Sequence, residues 1–216
     1  MRREIGLVLA AVAAYELARR AIHPSWVVAV SHAHDVLALE QRLGLAWEGW
    51  LQRALMPVMP ALDVVYLAAQ FGVTGLFFVW LYRSDEYARF RNAFLVTTAL
   101  ALVIAWRYPV APPRLVGLRD VLHLRVASVT DPLAALPSLH AGWAVGVGAG
   151  VWRRSRMLAI AYPALVVVAT IATGNHFVLD AAAGAFLMAI GFAVARVNWL
   201  KHGATLAPAS RGGAVR

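Results

Sequence analysis

Six apolar runs dominate the chain, lying roughly at 4–20, 58–82, 92–109, 137–152, 157–174 and 177–197, and most of the arginines sit at or between their ends. About 20 apolar residues in helical form cross the hydrocarbon of a bilayer, and a helix satisfies its own backbone there. The pattern predicts an all-α, polytopic membrane protein built as a six-helix transmembrane bundle. Several runs fall short of ~20 residues, which tilt or local thinning of the bilayer accommodates. Composition agrees, with 61% hydrophobic and 14% charged residues. Soluble domains carry about 25% charged residues.

The formal net charge is +9, but the arginines form no basic face with interleaved aromatics. Nucleic acid is therefore not the expected partner. The chain has no cysteine, which excludes disulfides, iron–sulfur clusters and thiolate zinc sites. Residues 1–200 read as a single membrane-embedded domain. Residues 201–216 are polar, rich in Gly and Ala, and expected to be disordered. The first run, with its basic start, also fits a cleaved signal peptide, but Glu16 inside it favours a retained anchor.

With a cytoplasmic N-terminus, the cytoplasmic loops hold Arg83, Arg89 and Arg91, then Arg153, Arg154 and Arg156, and finally Arg196 and Lys201. That follows the positive-inside rule and puts both termini in the cytoplasm. The opposite side also carries arginines, among them Arg42, Arg53, Arg107 and Arg114. Trp80, Trp106, Trp152 and Trp199 fall near run ends, as an aromatic belt requires. Before the second run, residues 37–53 mix leucine and tryptophan with Glu40, Arg42, Glu48 and Arg53. This reads as an amphipathic interfacial helix broken near Gly44, or as a helix packed on the spans. Residues 110–136 are too polar to span, and form a re-entrant or extramembrane loop of the length that often carries function.

Three polar clusters interrupt the apolar sequence. "WRYPVAPPRL" sets Arg107 and Arg114 on a loop stiffened by Pro109, Pro112 and Pro113. Guanidinium forks suit a phosphate, although both could instead snorkel to headgroups. "LPSLHAGWAVG" places Ser138 at a helix start, an anion-binding position, with His140 in the first turn. "GNHFVLDAAAG" breaks one helix at Gly174 and Asn175, then puts His176 and Asp180 on one face of the next. Asp180 could hold one ring nitrogen and leave the other as base or nucleophile, or the pair could be a structural hydrogen bond. In the six-span topology all three clusters meet on the extracytoplasmic face. The set amounts to the parts of a phosphoryl-transfer site without a metal. His140, His176 and Asp180 also admit reading as metal ligands, but the nearby arginines oppose a cation. His32, His34 and Asp35 have poor spacing for a ligand set.

R-x6-R, then "PSLH", then H-x3-D resembles the three signature motifs of the type 2 phosphatidic acid phosphatase superfamily. "YPVAPPRL", "PSLHAGWA", "GNHFVLDAAAG" and "EQRLGLAWE" are most similar to its inositolphosphorylceramide-synthase-like branch, over residues 31–197. The resemblance implies a lipid phosphatase or phosphotransferase in the cell membrane. His176 would be the nucleophile that forms a phosphohistidine, Asp180 its orienting partner, and His140 the acid for the leaving group. Arg107, Arg114 and Ser138 would hold the phosphate oxygens, and Asn175 joins this substrate-binding set. No cofactor and no metal are implied. The partners are a lipid phosphate and, as acceptor, water or an alcohol such as inositol. Arg107 stands where the superfamily usually has lysine, Leu115 replaces a proline and Leu139 a glycine. Thr170 stands where an arginine normally precedes the last histidine. A non-catalytic lipid-phosphate carrier or flippase is the rival reading, and would need no nucleophile.

Overall fold

A computed structural model of the chain describes residues 24–118 and 133–204, with side chains as far as Arg196, and residues 4, 6, 10 and 13–18. Parts of the expected anchor or signal segment, residues 119–132 of the expected loop and the expected tail beyond 204 therefore lie outside the described residues. Helix dominates the described chain, and its one β feature is an isolated parallel bridge between Val110 and Ala134.

Helix α1 (Trp26–Leu43) ends at Gly44, whose φ of 70° turns the chain out of the helix, and the Leu45 N–H closes onto the Glu40 carbonyl at 2.8 Å. The break foreseen near Gly44 is there, although the helix before it starts already at Trp26. Helix α2 (Glu48–Leu55) opens a helical stretch that continues to Leu81 over 34 residues. It passes through a 3₁₀ turn at Met56–Val58, α3 (Met59–Ala68), a π turn at Ala69–Val73 and α4 (Thr74–Leu81). Pro57 and Pro60 occupy first-turn positions, where a missing N–H has no intrahelical partner to lose. The π turn leaves the Ala69 carbonyl to accept the Thr74 hydroxyl at 3.2 Å and the Tyr162 hydroxyl at 3.3 Å.

Helix α5 (Tyr87–Arg107) follows, then α6 (Leu139–Val151), α7 (Arg156–Ala172) and α8 (Val178–Ala204). Among the described residues, three helical stretches are long and apolar enough to cross a membrane: Glu48–Leu81, Tyr87–Arg107 and Val178–Arg196. The expected spans at 137–152 and 157–174 are apolar helices of only 13 and 17 residues. Polar caps shorten them. Ser138 and Ser155 accept the N–H groups of Ala141 and Leu158 at their starts, and Gly174 (φ 69°) turns the chain after α7.

Helix α5 packs along α8, and α6 lies against both α7 and α8. Phe77, Phe90, Phe94, Val147 and Met188 fill the centre. The periphery is apolar as well: Leu76, Val79 and Phe186 are 72%, 75% and 67% exposed. Such an outer surface suits lipid. Arginines lie over exposed tryptophans at its two ends, Arg154 over Trp80 and Arg156 over Trp152 at one, Arg107 over Trp106 at the other. Helix α5 ends, α6 begins, α7 ends and α8 begins at a common end, where the candidate site forms.

Candidate active site

Helix α6 starts where Ser138 stops being extended, at φ −72° and ψ 106°. Its hydroxyl oxygen accepts the Ala141 N–H at 3.3 Å, and its own N–H donates to the Asp180 carbonyl at 2.9 Å. That second bond ties the start of α6 to the first turn of α8. The crossing is so close that a Cβ on Gly184 would strike the Ser138 carbonyl oxygen, and one on Gly142 would lie 2.7 Å from the Gly184 carbonyl. His140, in the first turn of α6, stacks on Tyr66 of α3 with ring centroids 4.1 Å apart. The His176 ring is 5.7 Å from the His140 ring.

His176 is buried in the link between α7 and α8. Its N–H and that of Asn175 both donate to the Thr170 carbonyl, at 3.2 and 3.1 Å. Its side chain does not take the partner expected for it. The His176 Nδ1–H donates to the Ala135 carbonyl at 2.8 Å, while Asp180 Oδ2 stands 3.7 Å from the same nitrogen. A carbonyl can only accept, so Nδ1 carries a hydrogen, and in the neutral ring the lone pair is then on Nε2. Asp180 Oδ2 instead accepts the Phe177 N–H at 2.8 Å and caps α8, and its Oδ1 has no hydrogen-bond partner among the described residues. The carboxylate acts on the imidazole through charge at short range rather than through a shared hydrogen. Ala135 is placed by its own N–H, which donates to the Val110 carbonyl at 3.0 Å beside the lone β bridge.

Arg114 reaches this cluster. Its Nη1 donates to Asn175 Oδ1, and its backbone N–H donates to the Gly174 carbonyl at 3.0 Å. Asn175 Nδ2 donates in turn to the Thr173 hydroxyl at 2.7 Å, which fixes the amide that orients the guanidinium. Arg107 does not join. It ends α5 exposed, its guanidinium 5.7 Å above Trp106. Of the seven residues singled out in the sequence, His140, His176, Asp180, Ser138, Asn175 and Arg114 come together and Arg107 stays outside. His32 and His34 are engaged elsewhere, their Nδ1 atoms bonded to the Pro109 and Val30 carbonyls at 2.8 and 2.9 Å.

The sequence pattern of the PAP2 superfamily matches residues 34–194, well over half of the chain. The chain belongs to the PAP2 superfamily. No curated protein and no solved structure matches it significantly. Superfamily membership makes the chain one of a class of phosphatases and phosphotransferases acting on phosphate esters. The matched range takes in every residue of the cluster and begins just ahead of two further acidic residues, Glu40 and Glu48.

Those two glutamates carry no role in the sequence reading, yet both are buried. The Leu179 N–H donates to Glu40 Oε1 at 2.6 Å, and the Val178 N–H donates to Glu48 Oε1 at 3.3 Å. Burial first, then the neighbouring Glu48 carboxyl, push Glu40 up to about 9, so it is neutral at pH 7. The available signal was the glutamate in "ALEQRL", a charge inside an otherwise amphipathic helix. Tyr66, which backs the His140 ring, gave no signal because an aromatic residue in an apolar run is ordinary. Chemically, the cluster offers two imidazoles side by side, a helix start and a guanidinium.

Proposed function

We propose that the chain is an integral membrane enzyme that moves a phosphoryl group from a lipid phosphate, without a metal, through a phosphohistidine on His176. The observation that carries this is the Nδ1–H bond from His176 to Ala135, because in a neutral imidazole it puts the lone pair on Nε2, and the His140 ring lies 5.7 Å away. In the proposed reaction, His176 Nε2 attacks phosphorus and the bond from phosphorus to the leaving oxygen breaks. His140 gives that oxygen its proton. His140 then takes a proton from the acceptor as it attacks the phosphohistidine, and free His176 returns. Arg114 and the first N–H groups of α6, with the Ser138 hydroxyl, hold the phosphate oxygens, worth on the order of 3 kcal/mol per well-placed donor. Asp180 stabilises the cationic imidazole of the intermediate.

Two features support a lipid substrate. Helices α6 and α7, at 1.5 Å per residue, run about 20 and about 26 Å, less than the ~30 Å of hydrocarbon. With the Arg153–Arg156 turn at one surface, the site lies beneath the other. A groove of about 600 Å³ also opens between α1 and α8, lined by Val36, Leu39, Leu136, Leu179, Ala183 and Phe186. Leu136 and Leu179 adjoin Ala135 and Asp180, so an apolar tail in the groove would bring its headgroup to the histidines. The wider reading is a six-span bundle in the cell membrane, with the site extracytoplasmic and both termini cytoplasmic. The resemblance to the inositolphosphorylceramide-synthase-like branch favours an alcohol such as inositol as acceptor, with water as the competing one.

The test is phosphate release by detergent-purified protein across a panel of lipid phosphates, with and without inositol, beside His176→Ala. Turnover and an acid-labile phosphate label are expected in the wild type and absent from His176→Ala, and EDTA should leave turnover unchanged. Lipid transport surviving in His176→Ala would favour a carrier instead.

A further inference from the structure

The first N–H groups of a helix have no acceptor within it, and a single side chain commonly takes one. At the start of α8 three carboxyls take three consecutive N–H groups. Asp180 takes Phe177, Glu48 takes Val178 and Glu40 takes Leu179. The last two reach from 130 and 139 residues earlier in the chain. The turn at Gly44 makes this possible, because it redirects the chain after α1, and Glu40 and Glu48 reach one helix end. The clamped residues begin immediately after His176, whose ring must be aimed to be useful.

We propose that Glu40 and Glu48 are positioning residues for phosphoryl transfer, holding the first turn of α8 so that His176 Nε2 points at the phosphate. By filling the N–H groups of α8 they also leave α6 as the helix end that binds the anion. This inference rests on the function proposed above. Glu40 Oε2 has no hydrogen-bond partner among the described residues, so its hold on α8 runs through Oε1 alone. A neutral glutamate is matched in shape and in acceptor oxygen by glutamine, and this separates positioning from charge.

The experiment compares wild type, Glu40→Gln, Glu40→Ala and Glu48→Ala in detergent micelles, using phosphate release from the panel of lipid phosphates above and amide exchange over residues 174–184. Both alanine variants should lower kcat by about tenfold or more, as a small misplacement of a reacting group does, with KM within about twofold. Their exchange should quicken at Phe177, Val178 and Leu179. Glu40→Gln should keep kcat within about threefold of wild type. Wild-type kcat in either alanine variant, unchanged exchange, or a glutamine variant as impaired as the alanine one would overturn the proposal. If the alanine variants do not fold, Glu40→Gln alone decides. Wild type that releases no phosphate from any ester sinks the proposed function, and the exchange data still judge the clamp.

Discussion

His176 shows how a residue identified by its neighbours in sequence can take its decisive partner from elsewhere. Its tautomer is set by a backbone carbonyl, and the aspartate four residues on supplies charge and a helix cap. Asp180→Asn should therefore be milder than the loss seen where a carboxylate fixes the tautomer, which is about 10⁴ in kcat. Asparagine can still accept the Phe177 N–H, and Ala135 still holds Nδ1. A fall in kcat of roughly 10- to 100-fold is expected, measured by phosphate release. The two arginines should also separate. Arg114→Ala should lower kcat/KM by about 10²–10³, as removal of a donor to a developing oxyanion does. Arg107→Ala, at an exposed position over Trp106, should cost less than about tenfold, since exposed charge contributes little. Equal losses in the two variants would mean that Arg107 swings into the site when substrate binds.

At the level of elements, the site depends on how closely α6 and α8 cross. The Ser138 N–H bond to the Asp180 carbonyl exists because Gly184 has no side chain there. Gly184→Ala puts a methyl against the Ser138 carbonyl and should destabilise by about 1–3 kcal/mol, as overpacking does. Activity should fall further than stability, because the helix start that binds the phosphate moves. Gly75→Ala is the control: nothing lies within 4 Å of its added Cβ, so it should be neutral or stabilising by up to about 1 kcal/mol. Thermal unfolding of the two variants in one detergent reads the difference.

At the level of the whole molecule, the buried Glu40 links folding to pH. Its carboxyl titrates near 4.5 when unperturbed and near 9 in the folded chain. Between those values the folded state holds the proton that the unfolded state has released. The stability from this group is therefore complete below about pH 4.5, and it is lost as the pH rises through about 9. Wild type should lose thermal stability from neutral toward alkaline pH, and Glu40→Gln, which has nothing to titrate, should flatten that loss. A wild-type profile as flat as the variant's between pH 6 and 9.5 would contradict the buried neutral carboxyl.

The sequence by itself determined the helical class and, for three of the six expected spans, a helix long and apolar enough to cross a membrane, because apolar length is a local property. It also marked Ser138 as a cap, Gly174 and Asn175 as a helix break and His176 and Asp180 as one turn apart, because such signals act within a few residues, while the contacts between these segments and Arg114 are tertiary. The break at Gly44 was legible for the same reason. Only the tertiary structure decided that Ala135 orients His176, that Arg107 stands apart, and that Glu40 and Glu48 clamp α8. Those outcomes depend on backbone carbonyls, which every residue has, and on contacts between segments more than 100 residues apart. Local pattern carries no trace of either.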